Sequence, residues 1–177
     1  MVIDDLRQDH INISRVLDVL EQQLARLESG ERPDYYLMTK SVEYIQEYPD
    51  IFHHPRENAM FAVYLEDHKE GREQIEALQE EHEELGALTV SLRETVECLF
   101  HGGVVGRDEV LDQITHFIDR QREHIGKEES EVFPMIKAAL TAEQWGRIDA
   151  MVPVVADPVF GPNLKSQYES LYRRIFD

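Results

Sequence analysis

The chain of 177 residues carries 36 Asp and Glu against 18 Lys and Arg, a formal charge of -18, and 42% of its residues are hydrophobic. That length suits one domain with a sizeable core, the apolar share argues against general disorder, and the acidic excess repels nucleic acid and anionic lipid. The acidic start MVIDDLRQDH lacks the basic and apolar regions of a secretory signal, and no apolar run approaches membrane-spanning length, so a cytoplasmic location without membrane contact is expected. Cys98 is the sole cysteine, which excludes an intramolecular disulfide and thiolate metal sites; among Val96, Leu99 and Phe100 it is expected to be buried, with an intermolecular disulfide left open.

From Ile3 the apolar positions run Leu6, Ile13, Leu17, Leu20, Leu24 and Leu27 at alternating spacings of three and four, with His10 the only polar member of the seam. A first helix is expected over residues 2 to 28, ended by Gly30 and Pro33, with Asp34 as cap for the next. That second segment carries Met38, Val42 and Ile45 and resumes through His53, Glu57, Met60 and Tyr64. Pro49 and Pro55 predict a kink or break near the first of them, which would set the aim of His53. After a turn around residues 66 to 71, a third seam reads Ile75, Leu78, His82, Leu85, Thr89, Leu92, Val96, and His101-Gly102-Gly103 ends it. The fourth, opened by Arg107 or Asp108, reads Val110, Ile114, Phe117, Gln121, His124, Glu128, then Val132 or Glu131, and Met135.

From Leu140 the pattern changes. Thr141-Ala-Glu-Gln144 reads as a capping box for a short helix through Trp145 and Ile148, a Pro- and Gly-rich loop follows, and Leu164 to Phe176 reads as a last amphipathic helix. The expected architecture is all-α: an up-down-up-down four-helix bundle over residues 1–139, and a short helical C-terminal extension over 140–177 that packs across the bundle or against a second subunit.

Four histidines, His10, His53, His82 and His124, thus occupy core positions on four successive helices, and Glu57 and Glu128 each follow a histidine by four residues. At that spacing an imidazole and a carboxylate leave one helix face about one turn apart, as ligands to adjacent metal ions do. Helix arithmetic tests convergence. At about 1.5 Å per residue, His10 before the first turn and His53 after it both lie roughly 27–29 Å from that end of the bundle, and His82 and His124 match across the third turn. Independent core histidines have no reason to share a level, so a metal site is expected in place of a purely structural bundle. Four imidazoles and two carboxylates exceed the needs of one tetrahedral zinc and suit two carboxylate-bridged ions, iron or manganese by the absence of thiolates. His54 at the same spacing meets Asn58, a poorer anionic bridge, and stands as a runner-up, as does Glu129 beside Glu128. Glu81, Glu83 and Glu84 read as a solvated face, His68 and His101 as exposed or capping residues, and His116 as off the inward stripe. Tyr44, Tyr48 and Tyr64 lie near the site at spacings typical of core residues.

His10, the run His53-His54-Pro-Arg-Glu57, His82, and His124-Ile-Gly-Lys-Glu128-Glu-Ser-Glu-Val-Phe-Pro resemble the His-His-Glu cation-binding family, the hemerythrin-like domains, over about residues 3 to 138. Tyr48-Pro-Asp-x-x-His-His-Pro and the tail's Asp157-Pro-x-Phe-Gly are similar to a stand-alone bacterial branch of it. The resemblance implies a non-haem di-iron centre with an oxo or hydroxo bridge, manganese or zinc being possible occupants, and O2, peroxide or NO as small ligands, with no dedicated organic substrate. It implies His53 and His124 each acting with its Glu, and His10 and His82 completing the set. Oxygen-carrying members have a further histidine in a His-x-x-x-His pair on the third helix, where this chain has Leu78 and Gly86 around His82, so stress response or sensing is expected ahead of oxygen carriage. A sensor would need a separate protein partner, and a homodimer is possible. Iron storage or a metal-responsive interaction role is the competing class. Iron–sulfur cluster repair, which resembles a third branch, ranks lower because its members carry a cysteine-bearing N-terminal domain.

Overall fold

The computed structural model describes residues 1–177. Helix α1 (Val2–Glu28) keeps the predicted seam buried from Ile3 to Leu24 and places Asp4 and Asp5 at its positive N-terminal end. Gln23 accepts a hydrogen bond from the backbone N–H of Asp34 at 2.9 Å, and the Asp34 side chain in turn accepts from Leu37 N–H at 3.0 Å, so the first turn is tied at both ends. Helix α2 (Tyr35–Glu47) stops at Tyr48, a π-turn spans Pro49–His53, and α3 (His54–Asp67) continues the same rod, so the proline break falls where the sequence placed it.

Helix α4 (Arg72–Phe100) begins after Gly71, whose φ of +70° suits glycine; an added Cβ there would also lie 2.3 Å from Met135 Cε. Helix α5 (Arg107–Lys127) runs into a second π-turn at Glu128–Val132 and then α6 (Phe133–Ala139). Nothing in the residue pattern of 128–132 predicts this second π-turn. Helix α1 packs on α2 and α5, and α4 packs on the same two from the other side, closing a four-rod ring.

The apolar interior is divided. One core joins Ile13–Leu24, Leu37–Tyr48, Leu92, Val96 and Val110–Ile118, the other joins Val2–Leu6, Met60–Tyr64, Ile75, Leu78 and Val132–Ile136, and the buried histidines and glutamates form the layer between them. The extension completes both cores. Helix α7 (Ala142–Met151) opens with the Thr141–Gln144 capping box and seals one end with Trp145 and Ile148, packing on α3. A single 3₁₀ turn at Ser166–Tyr168 precedes α8 (Glu169–Phe176), a shorter last helix than expected, which lies against α1 and α2 and adds Tyr168 and Leu171 to the other core.

Between α7 and α8, Asp157 is 8% exposed and accepts four hydrogen bonds, from Tyr44 OH (2.8 Å), Asn12 Nδ2 (3.3 Å) and the backbone N–H groups of Val159 (2.8 Å) and Phe160 (2.9 Å). Gly161 closes this loop so tightly that a Cβ would stand 2.4 Å from the Asp157 carbonyl oxygen. Cys98 corrects the expectation of burial: it lies exposed on the outer side of α4, because Val96 and Leu92 take the inward stripe there. No helix is long and apolar enough to cross a membrane.

Candidate metal centre

The six residues singled out by spacing meet in the polar layer, none of them more than 7% exposed. Glu57 and Glu128 face each other across the bundle with no exposed surface. Glu57 Oε1 lies 3.3 Å from His10 Nε2 and 3.1 Å from His53 Nε2, while its Oε2 lies 3.3 Å from His82 Nε2. Glu128 mirrors it, with Oε2 at 3.2 Å from His10 Nε2 and Oε1 at 3.3 Å from His124 Nε2 and 3.6 Å from His82 Nε2. Each carboxylate therefore turns one oxygen toward the His10 side and the other toward the His82–His124 side.

His54, the runner-up, belongs to the same cluster. It is 5% exposed, its ring stacks on His82 at 4.3 Å between centroids, and it forms with Glu57, His82 and His124 a group whose ligand atoms lie within 4.8 Å of one another. His10, His53 and Glu57 form a second such group. The wide π-turn explains the pair: its i→i+5 bonding inserts an extra residue into the turn, so the adjacent His53 and His54 both point inward, which an unbroken α-helix would not allow. A fifth imidazole, absent from α4, thus borders the layer from the start of α3.

What lies behind the imidazoles was not legible in advance. Nδ1 of His53 donates to Asp9 Oδ2 (3.2 Å), of His82 to Asn58 Oδ1 (3.2 Å), of His124 to Glu81 Oε2 (3.0 Å), and of His10 to Glu129 Oε1 (2.8 Å). Each anchor is the chain neighbour of an inward-facing residue on another helix, so the four rods hold one another's histidines in a closed cycle. Such acceptors put the ring proton on Nδ1 and leave Nε2 free as a donor of electrons to a metal. Glu81 thereby leaves the solvated face assigned to it, while Glu83 and Glu84 keep it. Glu129, a third exposed, acts as an anchor and also pairs with Arg7 at 3.1 Å. His116 and His101 are exposed, as expected.

The protonation pattern shows what the cluster demands. Burial opposes charge on His10, but the close Glu128, Glu129 and Glu57 carboxylates hold it well above the ordinary imidazole value, and the same competition, burial against Glu128 and Glu57, brings His82 to about 9. Burial together with the neighbouring His82 pushes His54 well down, into the neutral form that binds metal. Burial also opposes charge on Glu57, yet His53 and the surrounding imidazoles keep it well below the usual carboxylate range; Glu128 moves the same way despite burial and the Glu57 charge beside it.

A group of buried donor atoms tests whether metal fits. Nε2 of His10, His82 and His124 and all four oxygens of Glu57 and Glu128 make no hydrogen bond of good geometry. They lie within ion-pair distance of one another but aim at a shared interior. Buried polar atoms so arranged fit a cation held in common.

The sequence model of the Hemerythrin HHE cation binding domain matches residues 1–136. The chain belongs to the hemerythrin HHE cation-binding family. No curated protein and no solved structure matches it. This hemerythrin-like chain binds metal, iron being the metal its family implies, and the imidazole and carboxylate donors fit such an ion. A groove of about 620 Å³, bordered by Arg7, Ser14, Arg15 and Glu129, runs along α1 and α5 and reaches His10 beside its partner Glu129.

Proposed function

We propose that the chain is a non-haem di-iron protein whose centre binds or reacts with O2, peroxide or NO. The observation that carries this is the double-faced placement of Glu57 and Glu128, one oxygen of each toward either side, which suits two ions bridged by both carboxylates. His10 and His53 would hold one ion, His82, His124 and His54 the other. The His10 side then has fewer protein donors, and the groove meets it there. Iron so held would supply reversible binding or redox chemistry toward the small ligand. The chain's own residues fix the imidazoles through the Nδ1 anchors, keep both carboxylates ionised, and exclude bulk water by the apolar cores on either side.

The test is metal content and the visible spectrum of protein purified aerobically at known concentration. Two irons per chain and oxo-bridge absorption that changes with O2, peroxide or NO support the reading; zinc alone, or an iron form indifferent to all three, refutes it. A second reading, a metal-responsive interaction protein, is favoured by one observation: Tyr48 OH lies within hydrogen-bond reach of both Asp9 Oδ1 (3.2 Å), the anchor of His53, and the Val155 carbonyl of the extension (3.4 Å), so tail docking touches the support of a proposed ligand. A change of tail protease sensitivity or oligomeric state on metal removal is its signature.

A further inference from the structure

Three tyrosines form a line beside the metal layer. Tyr48 OH donates to Asp9 Oδ1 at 3.2 Å, and the other oxygen of Asp9 holds His53 Nδ1. Tyr44 OH donates to Asp157 Oδ2 at 2.8 Å, and Tyr168 OH donates to Glu47 Oε2 at 2.8 Å. The rings follow at centroid distances of 6.1 Å from Tyr48 to Tyr44 and 6.2 Å from Tyr44 to Tyr168. Tyr44 and Tyr168 have no exposed surface and Tyr48 is 5% exposed, whereas Glu47 is only half buried and also accepts from Gln167.

We propose that Tyr48, Tyr44 and Tyr168 form a relay that carries one-electron oxidising equivalents from the metal centre to the protein surface at Glu47, each phenol passing its proton to its own carboxylate. The proposal rests on reading the centre as iron that reacts with peroxide.

Hydrogen bonding alone does not explain the pattern. A buried tyrosine is satisfied by a backbone carbonyl, as Tyr64 is by that of Glu70 at 3.1 Å. All three relay phenols instead have carboxylates, Tyr48 with the Val155 carbonyl as a second and longer acceptor at 3.4 Å, and a carboxylate in this interior is expensive: burial pushes Asp157 up from its ordinary value. What a carboxylate adds over a carbonyl is basicity. Burial and the adjacent carboxylates push all three phenols up, so they stay protonated at any working pH. Only loss of an electron makes a phenol acidic enough to release its proton, and a base must then stand within hydrogen-bond reach.

One electron leaves Tyr48 for the oxidised metal pair, one metal ion falls by one oxidation state, and the phenol proton crosses to Asp9, leaving a neutral phenoxyl radical. Tyr44 then gives an electron to that radical, Asp9 returns its proton to Tyr48, and the Tyr44 proton crosses to Asp157. Tyr168 repeats the exchange with Tyr44, its proton moving to Glu47. A one-electron donor of the thiol or phenol class in solution finally reduces Tyr168, which regains the proton from Glu47. Two passages supply the two electrons that reduce one hydrogen peroxide to two waters, with two protons from the donor. Asp157 and Tyr168 lie beyond residues 1–136, so the C-terminal extension completes the relay.

The test mixes iron-loaded protein with hydrogen peroxide and follows three readouts: iron oxidation by visible absorption, phenoxyl radical by electron paramagnetic resonance of freeze-quenched samples, and radical position by the change in ring-proton hyperfine pattern between the parent and single tyrosine-to-phenylalanine variants. The parent is expected to give a phenoxyl signal whose hyperfine pattern changes in Tyr168→Phe. Tyr48→Phe should lower the signal at least tenfold while iron still oxidises. Tyr168→Phe should leave a longer-lived radical on Tyr44, and Glu47→Gln, which leaves the buried rings intact, should shift it inward in the same way. Oxidised iron without phenoxyl, or an undiminished signal in Tyr48→Phe, overturns the relay alone. Iron that peroxide leaves spectrally unchanged overturns the reading of the centre and the relay with it.

Discussion

Replacing Asp157 by Asn separates the extension's anchor from its packing. The side chain keeps its shape, and the remaining carbonyl oxygen still accepts from the backbone N–H groups of Val159 and Phe160. The new amide NH2 stands where Oδ2 accepted from Tyr44 OH and Asn12 Nδ2. Tyr44 can turn its hydroxyl to accept from that NH2, but Asn12 Nδ2 has only hydrogens to offer and is left facing another donor in a buried setting. One buried donor without a partner costs about 1–3 kcal/mol, and losing the charge-assisted bond from Tyr44 adds about 1 kcal/mol. Burial already raises the Asp157 carboxyl, so removing its charge returns part of this. The net expectation is a loss of about 1–3 kcal/mol, a fall in Tm of roughly 3–10 °C for a chain of this size. Urea unfolding of metal-free protein measures it, and combining the change with Asn12→Ala should recover at least ~0.5 kcal/mol of the loss as coupling. A variant within about 0.5 kcal/mol of the parent, with unchanged tail proteolysis, would show that α7 and α8 hold the extension by apolar contact alone.

Other outcomes follow from the polar layer. His54→Leu should leave one metal held normally and weaken the other by more than the about 10–100-fold typical of losing an outer hydrogen-bond partner, read by competition with a chelator. Glu81→Ala, which frees His124 Nδ1, should weaken the same ion within that range. Metal loading should release protons, measurable by calorimetry in buffers of different ionisation heat: His82 is raised to about 9, so metal-free protein holds that proton at neutral pH and apparent affinity should climb as pH approaches 9. Burial raises the Asp50 carboxyl from 3.8 to about 6. A raised carboxyl favours the folded state fully below pH 3.8, and that contribution is lost as pH rises through about 6. Asp50→Asn should therefore gain on the parent by up to about 3 kcal/mol between pH 4 and 7, in paired unfolding curves, and a constant gap would refute the assignment.

The apolar seams, the turns at Gly30, Gly71 and Gly102, the Asp34 cap and the Thr141 capping box were all legible in the sequence, because each depends on residues within one or two turns of one another. The same local arithmetic placed His10, His53, His82, His124, Glu57 and Glu128 on the inward face at one height. A repeat of 3.6 residues fixes a residue's face, and the rise fixes its level. It could not show that His54 shares that face, since the π-turn at Pro49–His53 shifts the phase of the helix. Nor could it find Asp9, Asn58, Glu81 and Glu129 behind the imidazoles. On their own helices these are polar residues beside a ligand, and only the approach of a second helix gives each a histidine to hold. The exposure of Cys98 turned on the same question, which of two near-equivalent stripes faces the neighbouring rod. Sequence periodicity thus determined the bundle and the level of its metal layer. The tertiary structure decided the fifth imidazole, the outer anchors and the tie from Asp157 to Tyr44, because contacts between rods depend on their mutual rotation, which no single rod encodes.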